Sequence, residues 1–260
     1  MNVMKKTLYT VAALVFALAM ANTALAQDTP FAIENVPNVV GVAVGMLPDY
    51  EGSNDYRAGG APFFKLTYPK SEWYLILIAT ELSANILNHP FLRLGPAVNY
   101  RFGRNDSFDA EDDVIERMTT VKNTVEAGAF AGVEFRASEN PRNRFIASVT
   151  FLSDVGDEYK GYNISLLARY WHQAHQMVDI SLGAGATYAD DNYMDTYFSV
   201  DQENAGRTGL NLFRAESGIK DFSVSPAVVV HLSRDWHVAA GARYKRLLDD
   251  AEDSPLVDEE

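Results

Sequence analysis

The stretch MVDISLGAGATY, residues 177–188, alternates between two kinds of side chain along its whole length. One row is apolar and runs from Val178 through Leu182 to Tyr188. The other row is small or polar and includes Asp179 and Ser181. Successive side chains of a β-strand point to opposite faces, so this period of two predicts a strand with one apolar face and one small or polar face.

The same period recurs along most of the chain, and short polar or glycine-containing segments separate one stretch from the next. The pattern predicts an all-β, antiparallel protein. The candidate strands are residues 39–46, 62–68, 73–80, 91–102, 121–136, 143–153, 161–171, 177–188, 193–200, 219–232 and 236–247.

Two architectures produce such strands, a soluble sandwich and a transmembrane barrel with an apolar outer face. Residues 92–102, 125–135 and 222–232 keep the alternation for about the 9–11 residues that a barrel strand needs to cross a bilayer. Apolar stripes begin and end in aromatic residues, as in Tyr162 and Tyr170, which suits the two membrane interfaces. Charged residues on the other face would be costly in a dry sandwich core and favour a wet lumen. These candidate lumen charges are Arg93, Arg101, Glu126, Glu134, Arg169 and Arg243.

The sequence therefore predicts an antiparallel transmembrane β-barrel of about 10–12 strands, with a periplasmic sandwich as the alternative. In the first strand, the apolar row that begins at Val40 and ends at Met46 is expected to face lipid. Membrane lipid and lipopolysaccharide are the expected surroundings.

The first 26 residues have the pattern of a secretory signal peptide, with Lys5 and Lys6 before an apolar run and Ala24 and Ala26 at the cleavage site. We expect residues 1–26 to be removed and residues 27–260 to form one outer-membrane barrel domain in a Gram-negative bacterium. The net charge of −13 argues against nucleic-acid binding, and the absence of cysteine excludes disulfides.

One long connection is of particular interest. Four candidate strands precede residues 103–120, so this segment is expected at the end opposite the loop at residues 47–61, on the periplasmic side. Its acids and an apolar pair suit contact with a basic face of a periplasmic partner, whereas a plug folded into the lumen is the alternative. The candidate contact residues are Asp106, Asp109, Glu111, Asp112, Asp113, Val114 and Ile115.

Several segments together resemble the MipA/OmpV family of outer-membrane proteins. They are VGVAVGMLPDYEGSNDY (40–56), LGPAVNYRFGRND (94–106), EAGAFAGVEF (126–135), YMDTYFSV (193–200) and RLLDDAEDSPLV (246–257). The resemblance implies a scaffold that links a periplasmic murein lytic transglycosylase to a murein synthase during peptidoglycan synthesis. Family members usually continue past the last motif into a closing strand, so a final strand is expected to be missing from this chain.

No catalytic or cofactor pattern stands out. The sequence has no nucleotide-binding loop, zinc motif or nucleophile elbow. His172 and His175 are the best metal candidates, but their spacing of three residues would not place them on one face of a strand. We therefore expect no enzyme activity, no cofactor and no metal. A small outer-membrane channel or adhesin remains the main alternative function, and a barrel enzyme is a third.

Overall fold

The computed structural model describes residues 38–48, 50–104 and 112–257. The predicted signal peptide and the candidate contact residues Asp106, Asp109 and Glu111 lie outside the described residues. The described chain is all-β and antiparallel, as predicted, with three short helices in the connections. No helix among the described residues is long and apolar enough to cross a membrane.

Twelve strands form a single sheet in which each strand lies antiparallel to its neighbours, in sequence order from β1 to β11, while β12 pairs with β10 beyond β11. The strands are β1 (Asn38–Pro48), β2 (Tyr56–Thr67), β3 (Tyr74–Ile78), β4 (Glu81–Asn85), β5 (Leu92–Arg101), β6 (Thr124–Arg136), β7 (Arg144–Asp154), β8 (Tyr162–His175), β9 (Val178–Ala189), β10 (Gly218–His231), β11 (His237–Gly241) and β12 (Tyr244–Leu247). The helices are α1 (Asp113–Glu116), α2 (Asp191–Phe198) and α3 (Gln202–Thr208), and a 3-10 turn covers Asp249–Ala251.

The sheet curls so that its first strands face its last ones across a filled interior. A cluster of buried residues combines Val39 of β1 and Phe63 of β2 with Trp171 of β8 and Val229 of β10. The convex face is apolar and exposed, since Val42 is 57% exposed whereas Val39 is 2% exposed. This alternation confirms the predicted period of two, and the curled antiparallel sheet has the fold class predicted, that of a β-barrel.

The eleven candidate strands contain three errors. The chain has an additional short strand, β4, which follows β3 after a tight turn in which Ala79 has a positive φ of 53°. Residues 193–200 were predicted as a strand but lie mostly in helix α2. Residues 236–247 were predicted as one strand but form two, β11 and β12, so the described chain has twelve strands where eleven were predicted.

The two ends of the sheet differ in the length of their connections. We call the end with the long connections the loop end; among the described residues it contains 50–55, 102–104, 112–123, 155–161, 190–217 and 248–257. The opposite turn end contains residues 68–73, 86–91, 137–143, 176–177 and 232–236. The prediction that residues 103–120 lie opposite the first loop is wrong for its described parts, residues 103–104 and 112–120, because the missed strand β4 places them at the loop end.

Candidate functional site

A network of buried charges fills the interior at the loop end, and Glu51 lies at its centre. Glu51 comes from the β1–β2 connection and accepts hydrogen bonds from Lys220 of β10 and Lys245 of β12, the latter at 2.6 Å. Both lysines also contact Asp221, at 2.7 and 3.1 Å. The Tyr193 hydroxyl donates to the second carboxylate oxygen of Glu51 at 2.8 Å. The first hairpin is thereby joined to the last strands by ion pairs.

The network continues to Glu126, which is fully buried in β6. Its carboxylate accepts from Arg101 Nε at 2.6 Å, Asn99 Nδ2 at 2.6 Å and the Tyr159 hydroxyl at 2.7 Å. Arg101 also donates to the Tyr193 hydroxyl at 3.0 Å. A buried carboxylate is tolerated where several donors and a cation surround it, and Glu126 has both.

Helix α2 covers this network with aromatic rings. Asp190 caps the helix by accepting from the backbone N–H of Tyr193 at 3.0 Å. Tyr193 and Tyr197 lie on one face, with ring centroids 4.6 Å apart, and the Arg101 guanidinium lies 5.0 Å from the centroid of the Tyr193 ring. Burial raises the pKa of both phenols, so they act as hydrogen-bond donors rather than phenolates.

The same contacts keep the Glu51 carboxylate ionised. Burial alone would raise the pKa of Glu51, but Lys220, Lys245 and Arg101 hold that pKa well below its usual range. The group is therefore an anion at neutral pH. This arrangement favours a rigid, charge-paired closure of the interior rather than acid–base catalysis.

The structure places the candidate lumen charges on the concave face, but in separate groups. Arg101 and Glu126 belong to the loop-end network, while Arg93 and Glu134 form an ion pair of 3.0 Å near the turn end. Arg169 lies between the ends and donates to the hydroxyls of Ser181 and Ser225. Arg243 lies between β11 and β12, with a partly buried side chain.

Part of the candidate contact segment is structural rather than available for binding. Asp112 caps α1 by accepting from the backbone N–H of Val114 at 2.6 Å. Ile115 is 3% exposed and packs with Met118 and Leu256, so it does not belong to an exposed apolar ridge as expected. Asp113 is exposed and Val114 is partly exposed.

The turn end carries a smaller polar cluster. The Nε2 atom of His231 lies 2.9 Å from Oδ2 of Asp179, and the Nδ1 atom of His231 lies 2.8 Å from Nδ1 of His237. Arg142 pairs with Asp179 at 2.7 Å. His172 and His175, the histidines considered from the sequence, lie elsewhere, on β8. In the described part of the chain, no group of three or more acidic or histidine side chains is placed to hold a metal ion.

Sequence reasoning missed the centre of the network. Glu51 was interpreted as part of a loop, and Lys220 and Lys245 were not considered. The spacing of Tyr193, Met194, Tyr197 and Phe198 is a helical signal that could have revealed α2, because residues three and four apart share one helix face. No local pattern indicates that Glu51 meets lysines so far along the chain.

Comparison with known proteins gives one family. A family model described as "MltA-interacting protein MipA" matches residues 40–260. The curated MltA-interacting proteins of Escherichia coli (strain K12) and Shigella flexneri are each 28% identical to the chain over 111 residues. The match covers 42% of this chain and 43% of each relative, so it spans less than half the length of these relatives. No solved structure matches the chain.

Proposed function

Because the chain belongs to the family of the MltA-interacting protein MipA, we propose that it is an outer-membrane β-barrel and a docking scaffold for enzymes of peptidoglycan synthesis. In this role it binds a murein lytic transglycosylase and holds it near a murein synthase. The name of the curated relatives supports the first partner. The second partner follows from the resemblance to the family.

The observation that carries the membrane placement is the exposed apolar convex face. Leu182 is 58% exposed and Leu166 is 55% exposed, in the middle of their strands. Aromatic side chains lie near both ends of this face, with Trp236 at the turn end, 50% exposed, and Tyr100 at the loop end, 41% exposed. Aromatic girdles around an apolar band are typical of outer-membrane barrels.

The lengths of the connections support one orientation of the barrel across the membrane. Barrels of this class keep short turns in the periplasm and longer loops outside the cell. The turn end is then periplasmic and is the surface that meets periplasmic enzymes. The acidic segment at residues 103–120 is then external, and its role as a partner contact requires the opposite orientation.

Cysteine labelling tests this orientation, and the natural sequence contains no cysteine that would interfere. Lys70 at the turn end and Arg117 at the loop end are both exposed. An impermeant thiol reagent should label Arg117→Cys on intact cells and Lys70→Cys only after the outer membrane is opened. The reverse pattern would place the loop end, with Asp112 and Asp113, in the periplasm.

Capture of purified murein enzymes tests the scaffold. We expect the detergent-solubilised protein to retain a lytic transglycosylase and, through it or beside it, a murein synthase. The double substitution Lys70→Glu with Arg234→Glu changes two exposed turn-end cations and should reduce this capture at low salt. Arg117→Glu with Arg207→Glu makes the same change of charge at the loop end and is the matched control. Equal loss in both variants, or loss in the control alone, would contradict docking at the turn end.

The packed interior is unfavourable to the channel alternative. Trp171 and Val229 are each 1% exposed on the concave face, and the loop-end network lies across the interior beyond them. A channel requires a continuous wet path through the sheet. Planar-bilayer recordings should therefore show no porin-like conductance from the folded protein.

A further inference from the structure

All five histidines of the chain lie at the turn end of the sheet. They are His89 in the connection from β4 to β5, His172 and His175 near the end of β8, His231 at the end of β10 and His237 at the start of β11. Histidine is the side chain whose charge ordinarily changes between about pH 5 and pH 8. Groups of this kind are therefore concentrated on the surface that the proposed function uses for docking.

The other charged side chains of the turn end nearly balance one another. In residues 68–73, 86–93, 134–144, 172–179 and 231–237 the cations are Lys70, Arg93, Arg136, Arg142, Arg144 and Arg234, and the anions are Glu72, Glu134, Glu139, Asp179 and Asp235. Six cations and five anions give this end a net charge of +1 while its histidines are neutral. Each proton that a histidine takes up therefore changes the net charge of the surface substantially.

His231 and His237 form a cross-strand pair beside a buried carboxylate. The Nε2 atom of His231 lies 2.9 Å from Oδ2 of Asp179, and the Nδ1 atoms of the two rings lie 2.8 Å apart. An ionised carboxylate only accepts hydrogen bonds, so His231 donates from Nε2. In the neutral pair, His231 then accepts at Nδ1 and His237 donates from Nδ1.

This pair can take up one proton without losing a contact. His231 then donates from both nitrogens, while His237 accepts at Nδ1 and keeps a proton at Nε2. The charge is favoured on His231, which contacts Asp179, because His237 is 4% exposed and burial opposes a charge there. The other charged groups around the pair are Arg142, which shares Asp179 with His231, and Arg234 and Asp235 in the turn from β10 to β11.

The other three histidines are closer to solvent. His172 and His175 are exposed, and His89 is partly exposed. Nδ1 of His89 accepts from the Leu92 backbone at 3.1 Å, and Nδ1 of His175 accepts from the Met177 backbone at 3.3 Å. A proton at Nδ1 replaces one such bond near the surface, where water supplies another partner, so the cost is small.

The charged neighbours of these rings are cations that bond to the backbone. Arg93 donates to the His89 carbonyl at 2.7 Å, and Arg142 donates to the carbonyl of Gln176, beside His175, at 2.7 Å. Arg93 is itself paired with Glu72 and Glu134, and Arg142 with Asp179. The nearby positive charge is thus largely balanced and does not prevent protonation of the exposed rings.

We propose that the turn end is an acid-responsive docking surface, which becomes strongly basic below about pH 6 and then holds an acidic face of its periplasmic partner more tightly. This role rests on the scaffold function proposed above for the identity of the partner. Water-filled porins let protons cross the outer membrane, so a periplasmic surface meets the pH of the medium. Docking would then strengthen as the medium becomes acidic.

A fluorescent label at each end measures the change in charge without any partner. Gln176→Cys and Gln202→Cys place the same neutral, pH-insensitive dye at exposed sites of the turn end and the loop end. Quenching by iodide, divided by quenching by neutral acrylamide, reports the local potential. From about pH 7.5 to about pH 5.5, at a constant ionic strength of about 50 mM, this ratio should rise about twofold at the turn end and hardly change at the loop end. An unchanged ratio at the turn end, or an equal rise at both ends, would overturn the proposal.

Capture of a purified lytic transglycosylase at the same two pH values tests docking. The detergent-solubilised full chain should hold the enzyme at least about fivefold more tightly at the lower pH. Equal capture at both pH values would overturn the acid response and leave the scaffold function standing. Absence of capture at both would overturn the scaffold function and, with it, acid-strengthened docking.

Substitutions of the exposed histidines separate their contribution from titration of the partner. His172→Gln with His175→Gln should reduce the fivefold gain to about twofold. His172→Arg with His175→Arg carries both charges at every pH, so it should bind about two- to threefold more tightly than the natural protein at about pH 7.5. Lys122→Gln with Lys160→Gln removes two exposed cations at the loop end and is the matched control, which should keep the full gain.

His231→Gln tests the buried pair, because glutamine can still donate to Asp179 but cannot take up a proton. Combined with His172→Gln and His175→Gln, it should remove most of the remaining gain on acidification. A combined variant that keeps the whole gain would show that the response does not come from these histidines and would overturn the proposal. If the combined variant does not fold, the exposed double variants and the two labels still decide the question.

Discussion

The loop end and the turn end of the sheet are both closed by charged side chains, but the charges connect different parts of the chain. At the loop end, Glu51 bonds to Lys245, which lies 194 residues further along the sequence. At the turn end, Arg93 pairs with Glu134 on the adjacent strand β6. The Glu51–Lys245 contact joins the β1–β2 connection to β12, which does not pair with β1 or β2 in the sheet. The Arg93–Glu134 pair joins β5 and β6, which already pair along their length.

The ion pairs at the loop end are also more deeply buried than those at the turn end. The side chains of Glu51 and Lys220 are 7% and 4% exposed. At the turn end, Glu72 is 30% exposed and its partner Arg136 is 42% exposed. Water and salt screen the second pair far more than the first. The loop-end network should therefore contribute to the curl of the sheet, while the turn-end pairs should contribute little to stability.

The largest expected effect comes from breaking the loop-end network. Glu51→Gln leaves Lys220 and Lys245 buried with one carboxylate, that of Asp221, between them. Removing one partner of a buried ion pair costs about 3–5 kcal/mol. Urea unfolding of the detergent-refolded protein should show this loss as a lower midpoint with an unchanged slope.

The control for this variant is Glu203→Gln on α3. Glu203 pairs with Arg207 on the surface, where the two side chains are 62% and 49% exposed. An exposed pair of this kind contributes about 0.3–0.5 kcal/mol, so the unfolding midpoint should hardly move. Similar losses in the two variants would refute the distinction between buried and exposed pairs.

The pH dependence of stability should follow from the same carboxylate. The pKa of Glu51 lies well below its ordinary value of 4.5, because Lys220, Lys245 and Arg101 outweigh the effect of burial. The unfolded chain therefore takes up a proton at this group at a higher pH than the folded chain, and stability falls as pH decreases. The difference in unfolding free energy between the natural protein and Glu51→Gln should be constant above about pH 6 and shrink below about pH 4.5. A difference that is independent of pH down to the acid limit would contradict this role.

The next largest effect is expected on the exposed apolar face between the two ends of the sheet. Leu182 and Leu212 have similar exposure, 58% and 67%, but Leu182 is in the middle of β9 and Leu212 is in a loop-end connection. Leu182→Arg should cost about 2–4 kcal/mol on folding into lipid vesicles if the site is near the bilayer midplane. Leu212→Arg should be tolerated, because its surroundings are aqueous in either orientation. Equal behaviour of the two variants in vesicles would argue against a lipid-facing band.

The sequence predicted well which side chains lie on the outer face of the sheet, because the face that a strand residue occupies depends only on local alternation along the strand. Val42 and Leu182 were placed outside, and both are among the most exposed apolar residues of their strands. The period does not show how far a strand extends, so the five residues of β4, between the tight turn at residues 79–80 and the connection at residues 86–91, were missed. Because β4 was missed, the described parts of residues 103–120 were predicted at the wrong end of the sheet.

The site was harder to predict than the fold for a different reason. Glu51 and Lys220 meet only because the sheet curls and helix α2 folds over its end, and they are 169 residues apart in sequence. Arg101 and Glu126 were identified as interior charges, since each lies on a long strand with clear alternation. Residues on connections have no such period, so their contacts depend on tertiary structure alone.

The smallest effect is expected at the turn end, where Glu72 can be removed without leaving a buried charge alone. Arg93 bonds to Glu72 at 2.8 Å, but it also bonds to Glu134 at 3.0 Å and keeps that partner in Glu72→Gln. The loss of unfolding free energy should be below about 1 kcal/mol and should shrink further at 0.5 M salt, because Glu72 is partly exposed.

Glu134→Gln is the comparison at the same end. Glu134 is 11% exposed and pairs with Arg93, with Arg136 and, at 3.9 Å, with Arg144, so its removal leaves Arg93, which is 4% exposed, with Glu72 as its carboxylate partner. It should therefore cost more than Glu72→Gln and less than Glu51→Gln, since Glu134 lies on strands already joined in the sheet, whereas the Glu51 ion pairs connect the first hairpin to the last strands. Urea unfolding of the three variants at low and high salt measures this order. A cost for Glu72→Gln that equals that of Glu51→Gln and persists at high salt would mean that the two ends are closed with equal strength.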